Sequence, residues 1–270
     1  MFRSTAFWLH WAILVIGGLL FVIAAPFLPP EWERVTLPRK PDSVSLPRWQ
    51  GPPLIARVPP SFRQASRKPA ALDLPPAERE ATATERVLLV GDSMTEWLRL
   101  RLARLCHEKG YVLYSVIWPS SSLVWWGKSD TLAAFIRELR PTYVLLCIGS
   151  NELLIPAIRK REPYVRRILA QVGELPCVWI GPPNWQEDTG INDLLKEVMG
   201  PGRFFDSRRL TYERLEDGAH PTPASAYRWA DSIAAFLRDS ALYPLDLFPM
   251  TPSYRVDRPD RTFLLAPHAP

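Results

Sequence analysis

The sequence VLLVGDSMTEW at residues 87–97 is the most informative stretch about the fold and contains the first part of the candidate site. Its first four residues are aliphatic, which predicts a strand buried on both faces. The tripeptide Gly-Asp-Ser follows at 91–93, and apolar residues then recur at helical spacing up to residue 105. A serine is thus predicted where a strand turns into a helix, and the unpaired N–H groups and helix dipole there favour an anion. The simpler alternative is that Asp92 or Ser93 only caps the helix.

Two later segments contain the residue types that a serine nucleophile needs. A second apolar run at 142–148 leads into the sequence GSNE at 149–152, and the sequence DGAH lies at 217–220 before an amphipathic stretch. A base must remove the proton of a serine hydroxyl before it attacks an ester. His220 is the candidate base, and Asp217 is spaced to orient its ring. The alternative is a surface turn with no catalytic role.

These three motifs resemble the conserved blocks of SGNH/GDSL-type hydrolases. Residues 91–93 are similar to the nucleophile block, 149–152 to the Gly-x-Asn-[Asp/Glu] block and 217–220 to the Asp-x-x-His block, in the family's order. The resemblance covers about residues 85–240. It implies a three-layer α/β/α fold with a parallel five-stranded sheet of the flavodoxin-like type. The catalytic residues that it implies are Ser93, Asp217 and His220.

The resemblance also implies an oxyanion hole, formed by the backbone N–H of Ser93 and the side-chain amide of Asn151. The family's third donor is a glycine N–H after the second strand, but here that region has the sequence WPSSS at 118–122. The N–H of Ser121 or Ser122 is the expected substitute.

Other side chains after the predicted strands are candidates for substrate contact, because tryptophan stacks on sugar rings or lines acyl pockets. They are Trp118, Asn184 and Trp185. Core packing is the alternative for the neighbouring Trp125 and Trp126, and Glu152 is expected to hold its own loop. The three cysteines and four histidines have no metal-site spacing, so no metal or cofactor is predicted.

Strands and helices alternate from residue 85 onward, which is typical of a parallel sheet with helices on both faces. The predicted strands are 87–91, 111–117, 142–148, 176–181 and 203–206. The predicted helices are 94–108, 129–140, 160–172, 190–199 and 222–238. Active residues are expected at the carboxyl ends of the strands.

Composition divides the chain into four parts, because 47% of residues are hydrophobic but the 29 prolines crowd the flanks. The predicted parts are a transmembrane anchor at 1–28, an extended proline-rich linker at 29–84, the catalytic domain at 85–240 and a proline-rich tail at 241–270. The net charge of +5 is spread along the chain without a basic stripe, so nucleic acid is not a predicted partner.

The predicted anchor is apolar from residue 6 to 28 except for His10, and is long enough to cross a bilayer. Arg3 precedes it, and Trp8 and Trp11 suit the membrane interface. This pattern predicts a single-pass protein of the cytoplasmic membrane with its catalytic domain outside, in the periplasm or beyond. A cleaved signal peptide is the alternative.

Together these features predict a serine esterase or acyltransferase that acts on short acyl esters, most simply acetyl, of envelope glycans. The expected partners are the glycan or another acyl ester, the membrane, and proteins of envelope biosynthesis or acyl transfer. The alternatives are a lipase or thioesterase acting on membrane lipids, and a catalytically silent carbohydrate-binding or assembly protein. Hydrolysis and transfer share an acyl-enzyme, so both stay open.

Overall fold

The computed structural model describes residues 75–247 and 255–266. In this part the chain forms an α/β fold with one all-parallel sheet of six strands and seven helices. The strands are β1 (Arg86–Gly91), β2 (Val112–Ile117), β3 (Tyr143–Cys147), β4 (Cys177–Ile180), β5 (Phe204–Phe205) and β6 (Arg261–Leu264). The helices are α1 (Pro76–Thr82), α2 (Thr95–Glu108), α3 (Leu123–Lys128), α4 (Thr131–Leu139), α5 (Glu162–Val172), α6 (Ile191–Met199) and α7 (Pro223–Asp239). The strand order is β5-β4-β3-β1-β2-β6.

Two hydrophobic cores lie on opposite faces of the sheet. In β1, Val87 and Leu89 point into a core with α2 and α7, while Leu88 and Val90 point into a core with α3, α4, α5 and α6. All four side chains are fully buried. Burial on both faces explains why the central strands are continuous apolar runs instead of alternating ones.

The predicted α/β class and parallel sheet are confirmed, and each predicted strand and helix is present within two residues at either end. The predicted number of five strands is wrong, because β6 adds a sixth at the edge. Two short helices, α1 and α3, were also not predicted. Helix α1 lies inside the expected linker at 29–84, and α3 has only six residues, too few for a clear period.

The C-terminal segment is held to the sheet by a buried histidine, which explains how four mostly exposed residues form a stable edge strand. His107 is fully buried, and its ring nitrogens lie 2.7 Å from Asp257 Oδ2 and 2.9 Å from Asp260 Oδ2. Arg79 donates to the other oxygen of Asp260 at 2.7 Å. Since Asp257 and Asp260 directly precede β6, these bonds set its register against β2.

Replacing His107 with alanine is expected to lower the free energy of unfolding by about 3 kcal/mol, because it leaves the fully buried Asp260 carboxylate with fewer partners. Urea unfolding measures the change, and hydrogen exchange should rise in residues 255–266. The control is Lys109→Ala, which breaks an exposed ion pair with Asp246 and should cost less than about 1 kcal/mol. Equal losses in the two variants would contradict the role of His107.

Among the helices of residues 75–247 and 255–266, none is long and apolar enough to cross a membrane. The predicted anchor at 1–28 lies outside the described residues, as does most of the predicted linker.

Candidate active site

Ser93 lies in the turn between β1 and α2, at the carboxyl edge of the sheet. Glycine is required at position 91, two residues before Ser93, because a Cβ there would lie 2.6 Å from the carbonyl oxygen of Cys147. Helix α2 has Met94 at its N-cap position without a side-chain capping bond, and the N–H of Met94 donates to Asp92 Oδ1 at 3.0 Å. The hydroxyl of Ser93 therefore does not cap the helix and is directed elsewhere.

The structure brings Ser93, His220 and Asp217 into one hydrogen-bonded chain. The hydroxyl of Ser93 lies 2.9 Å from His220 Nε2, and His220 Nδ1 lies 2.7 Å from Asp217 Oδ2. Because an ionised carboxylate only accepts, the hydrogen-bond network assigns the ring hydrogen to Nδ1. Nε2 is then left as an acceptor for the serine proton, which is the arrangement that nucleophilic catalysis requires.

Asp217 is held in its ionised form by the backbone of its own loop. The N–H groups of His220 and Ala219 donate to its Oδ1 at 2.9 and 2.8 Å. These two bonds, with that of the His220 ring, lower the pKa of Asp217 to about 2. The carboxylate is therefore charged at neutral pH and can orient the imidazole and stabilise the imidazolium.

Arg214 connects the loop that carries His220 to the loop after β4. Its guanidinium donates to the carbonyl oxygen of Ala219 at 2.5 Å and to that of Pro183 at 3.2 Å, and also to that of Asn184. A guanidinium has enough donors in one plane to join two loops in this way. Sequence reasoning missed Arg214, since nothing local separates it from the other arginines.

Asp92 joins the nucleophile turn to the loop after β3. Its carboxylate is fully buried, and Oδ2 accepts from the hydroxyl and the N–H of Ser150. Burial raises the pKa of Asp92, against the opposing effect of its bonds to Ser150 and Met94. Gly149 permits the turn because its φ is +125°, which L side chains rarely adopt.

Asn151 follows Ser150 in this loop and its side chain is exposed. One hydrogen of its amide donates to the carbonyl oxygen of Ser121 at 2.8 Å. No acceptor for the second hydrogen of this amide lies among residues 75–247 and 255–266, so this hydrogen is available to a ligand. Asn151 therefore retains a donor of the kind that a developing oxyanion needs.

The predicted donor Ser121 does not fit that role. Its N–H donates to the carbonyl oxygen of Trp118 at 3.1 Å, and its fully buried hydroxyl accepts from the indole of Trp126. Ser122 caps α3, because its hydroxyl accepts the N–H of Trp125. This bond does not involve the N–H of Ser122, which stays a candidate oxyanion donor. Ser120 is exposed at a φ of +58°, a conformation typical of glycine, so its N–H is a second candidate.

The three predicted substrate contacts differ in position. Trp118 is 4% exposed and donates to the carbonyl oxygen of Ala266, so the structure places it in the core and corrects that prediction. Asn184 uses both ends of its amide, donating to Asp188 and accepting from Asn192. Trp185 is half-buried and packs against both cores.

A cavity of about 220 Å³ opens beside Ser93 and His220. Its other lining residues are mainly apolar and include Met94, Trp97, Ile117, Pro119, Leu215 and Ala226. Leu215 lines this cavity and is 38% exposed. Trp185, Trp118 and Asn184 do not line this cavity.

No protein-family model matches the chain, and no curated protein matches it in sequence. The geometry around Ser93 is therefore what supports a function.

Sequence reasoning missed the residues that line the cavity, although one signal was present. Trp97 lies in the first turn of α2, four residues after Ser93, so it is close to Ser93 in the sequence. The other lining residues come from α2, from the end of β2, from loops and from α7, and no local pattern indicates that these elements meet.

Proposed function

We propose that this protein is a serine esterase or acyltransferase of the SGNH type. The observation that carries the proposal is the chain of hydrogen bonds from the Ser93 hydroxyl through His220 to Asp217. Ser93 and His220 are 127 residues apart, so a surface turn with no catalytic role gives no reason for this alignment. The strand order β2-β1-β3-β4-β5 is also that of flavodoxin-like sheets, where ligands bind at the carboxyl ends of strands.

In the first half of the reaction, Ser93 Oγ attacks the ester carbonyl carbon while His220 Nε2 takes the hydroxyl proton. The carbonyl oxygen becomes an oxyanion, which the amide of Asn151 and the N–H of Ser93 stabilise. The imidazolium gives its proton to the leaving alcohol as the carbon–oxygen bond breaks. The acyl group is then bonded to Ser93 Oγ, with Asp217 still ionised.

In the second half, His220 takes a proton from the acceptor, whose oxygen attacks the acyl-enzyme. Collapse of the intermediate returns the proton to Ser93 Oγ and releases the acyl product. With water as acceptor the product is a carboxylic acid, and with a sugar hydroxyl it is a new ester. The residues of the site are the same in both cases.

The proposed substrate is a short acyl ester, most simply acetyl, on a glycan of the cell envelope. A membrane-anchored position outside the cytoplasm is part of this proposal and rests on the apolar stretch at 6–28. The catalytically silent alternative is less favoured, because a binding protein has no use for a base aligned on a serine.

One observation favours the alternative of a lipase or thioesterase. The cavity has a volume of about 220 Å³, which is roughly seven times the ~30 Å³ that one water molecule takes up in the liquid. An acetyl group has only three heavy atoms and would leave much of this volume unfilled. Its apolar lining suits several methylene groups, each stabilised by about 0.8 kcal/mol on burial. The length of the acyl chain that the protein accepts therefore distinguishes a short-acyl esterase or acyltransferase from a lipase or thioesterase.

The test is hydrolysis of acetyl, butyryl, hexanoyl and long-chain aryl esters by the full-length protein, with acetate release from an O-acetylated polysaccharide alongside. We expect turnover of the short esters and release of acetate, both lost in Ser93→Ala. Rapid turnover of long-chain esters without acetate release would favour the lipase or thioesterase. Absence of all turnover would contradict the enzymatic proposal.

Trp97→Ala is expected to shift the preference of the enzyme toward longer acyl chains, because the indole bounds the cavity beside Ser93. We expect the ratio of hexanoyl to acetyl kcat/KM to rise about tenfold, the effect of one to two methylene groups in an apolar pocket. The control is Trp125→Ala, outside this cavity. An unchanged ratio would mean that the acyl group binds elsewhere.

A further inference from the structure

Glu152 is a buried carboxylate that the proposed reaction does not use. Its side chain is 1% exposed, and Oε1 accepts the N–H of Leu123 at 2.7 Å. Its Oε2 is buried and has no hydrogen-bond partner in the described part of the chain. The charged groups that face it are the carboxylate of Asp92 and the guanidinium of Arg161. Such burial destabilises the fold, so a functional reason for the carboxylate is expected.

The partner of Glu152 lies at the end of the 118–122 loop, which contributes Pro119 to the lining of the cavity beside Ser93. Leu123 is the first residue of α3 and directly follows the 118–122 loop. At its other end this loop is bound to the nucleophile strand, because the N–H of Trp118 donates to the carbonyl oxygen of Gly91 at 2.9 Å. Asn151, the neighbour of Glu152, binds the middle of the loop through Ser121.

We infer that Glu152 is a positioning residue for the oxyanion hole: it holds the 118–122 loop against Asn151, and does so better as the ionised carboxylate than as the neutral acid. This inference rests on the proposed function, because it matters only where Ser93 is the nucleophile. The physical reason is that a hydrogen bond to a charged acceptor is roughly twice as strong as one to a neutral acceptor. A loosened loop places the N–H of Ser120 and that of Ser122 less well relative to Ser93.

The change of charge falls in an accessible pH range. Burial raises the pKa of Glu152 to about 7, with the N–H of Leu123 opposing and the charge of Asp92 adding to the shift. Since this pKa lies above its ordinary value, Glu152 favours folding most when protonated, and this contribution to stability is lost as pH rises through about 7. The reactivity of Ser93 should rise over the same pH range, because the ionised Glu152 holds the 118–122 loop better. Ionisation of Glu152 is therefore expected to lower the stability of the fold and to raise the reactivity of Ser93.

The experiment measures the rate of covalent labelling of Ser93 by a fluorophosphonate, since the phosphoryl oxygen of the probe occupies the oxyanion hole. Full-length wild type, Glu152→Gln and Glu174→Gln are compared across pH. Glutamine keeps an acceptor for the N–H of Leu123 but never ionises. We expect the ratio of wild-type to Glu152→Gln rates to be near one below about pH 6 and about fivefold above about pH 8. The exposed Glu174 lies before β4, at the amino ends of the strands and away from Ser93. The labelling rate of its variant should equal that of the wild type at every pH.

Glu152→Asp keeps the charge but shortens the side chain, so its rate should be low at all pH values. This variant also carries the test if circular dichroism shows that Glu152→Gln does not fold. A ratio that stays constant with pH, or an aspartate variant with the wild-type profile, would overturn the positioning role alone. Failure of the wild type to be labelled at any pH would overturn both this inference and the proposed function.

Discussion

Covalent labelling of the full-length protein by a fluorophosphonate is expected to disappear in both Ser93→Ala and His220→Ala. The probe reacts quickly only with a serine whose proton a base removes, and His220 Nε2 is 2.9 Å from the Ser93 hydroxyl. For ester substrates, kcat/KM should fall by about 10⁴-fold or more in either variant. In-gel fluorescence and mass spectrometry of the labelled peptide provide the measurement.

Two variants serve as controls for this result. Ser240→Ala removes an exposed serine at the end of α7, and His107→Gln changes a histidine that holds the C-terminal segment. Both should keep the label, although the second should be less stable. Labelling that persists in Ser93→Ala would show that another residue reacts with the probe and would remove the basis of the proposed triad.

Asn151→Ala is expected to lower kcat by about 100- to 1000-fold with little change in KM. The amide uses one hydrogen on the carbonyl oxygen of Ser121, and the proposed reaction uses the other for the oxyanion. Because full negative charge on the substrate oxygen exists only in the transition state, losing this donor affects kcat more than substrate binding. Steady-state kinetics on an acetyl aryl ester provide both constants.

The isosteric variant Asn151→Asp separates this electrostatic role from a loss of shape. It keeps the size of the side chain but replaces a donor with a negative charge, so its kcat should fall at least as far as in the alanine variant. An aspartate variant with near-normal kcat would contradict oxyanion stabilisation. A large rise in KM with normal kcat in Asn151→Ala would indicate a ground-state binding residue instead.

Much of the fold could be predicted because its strands are buried on both faces. Such strands are continuous apolar runs, and the predicted strand at 142–148 corresponds to β3 within a residue at each end. Strand β6 could not be predicted in this way, since its burial is slight and it depends on Asp257 and Asp260 reaching His107. A contact over 150 residues of sequence leaves no local periodicity.

Local sequence patterns predict which residues stand at the ends of strands and in the turn before α7. Ser93, Asn151 and His220 were predicted there because glycine-containing motifs directly follow apolar runs or precede an amphipathic helix, and these are local features. Their catalytic roles stay predictions that the hydrogen bonds support. The burial of Trp118 in the core depends on contacts between distant parts of the chain, and the bond made by the N–H of Ser121 depends on how the 118–122 loop folds.

Tertiary structure also decided the shape of the cavity and the environment of Glu152. The cavity exists because α7 and the loop carrying Leu215 pack beside α2, and Glu152 meets Leu123 only because β2 and β3 both flank β1. Which groups are buried, and which donors are already bonded, depends on neighbours distant in sequence. Local propensity carries no information about those neighbours, because burial and the pKa shifts that follow from it are properties of the packed chain.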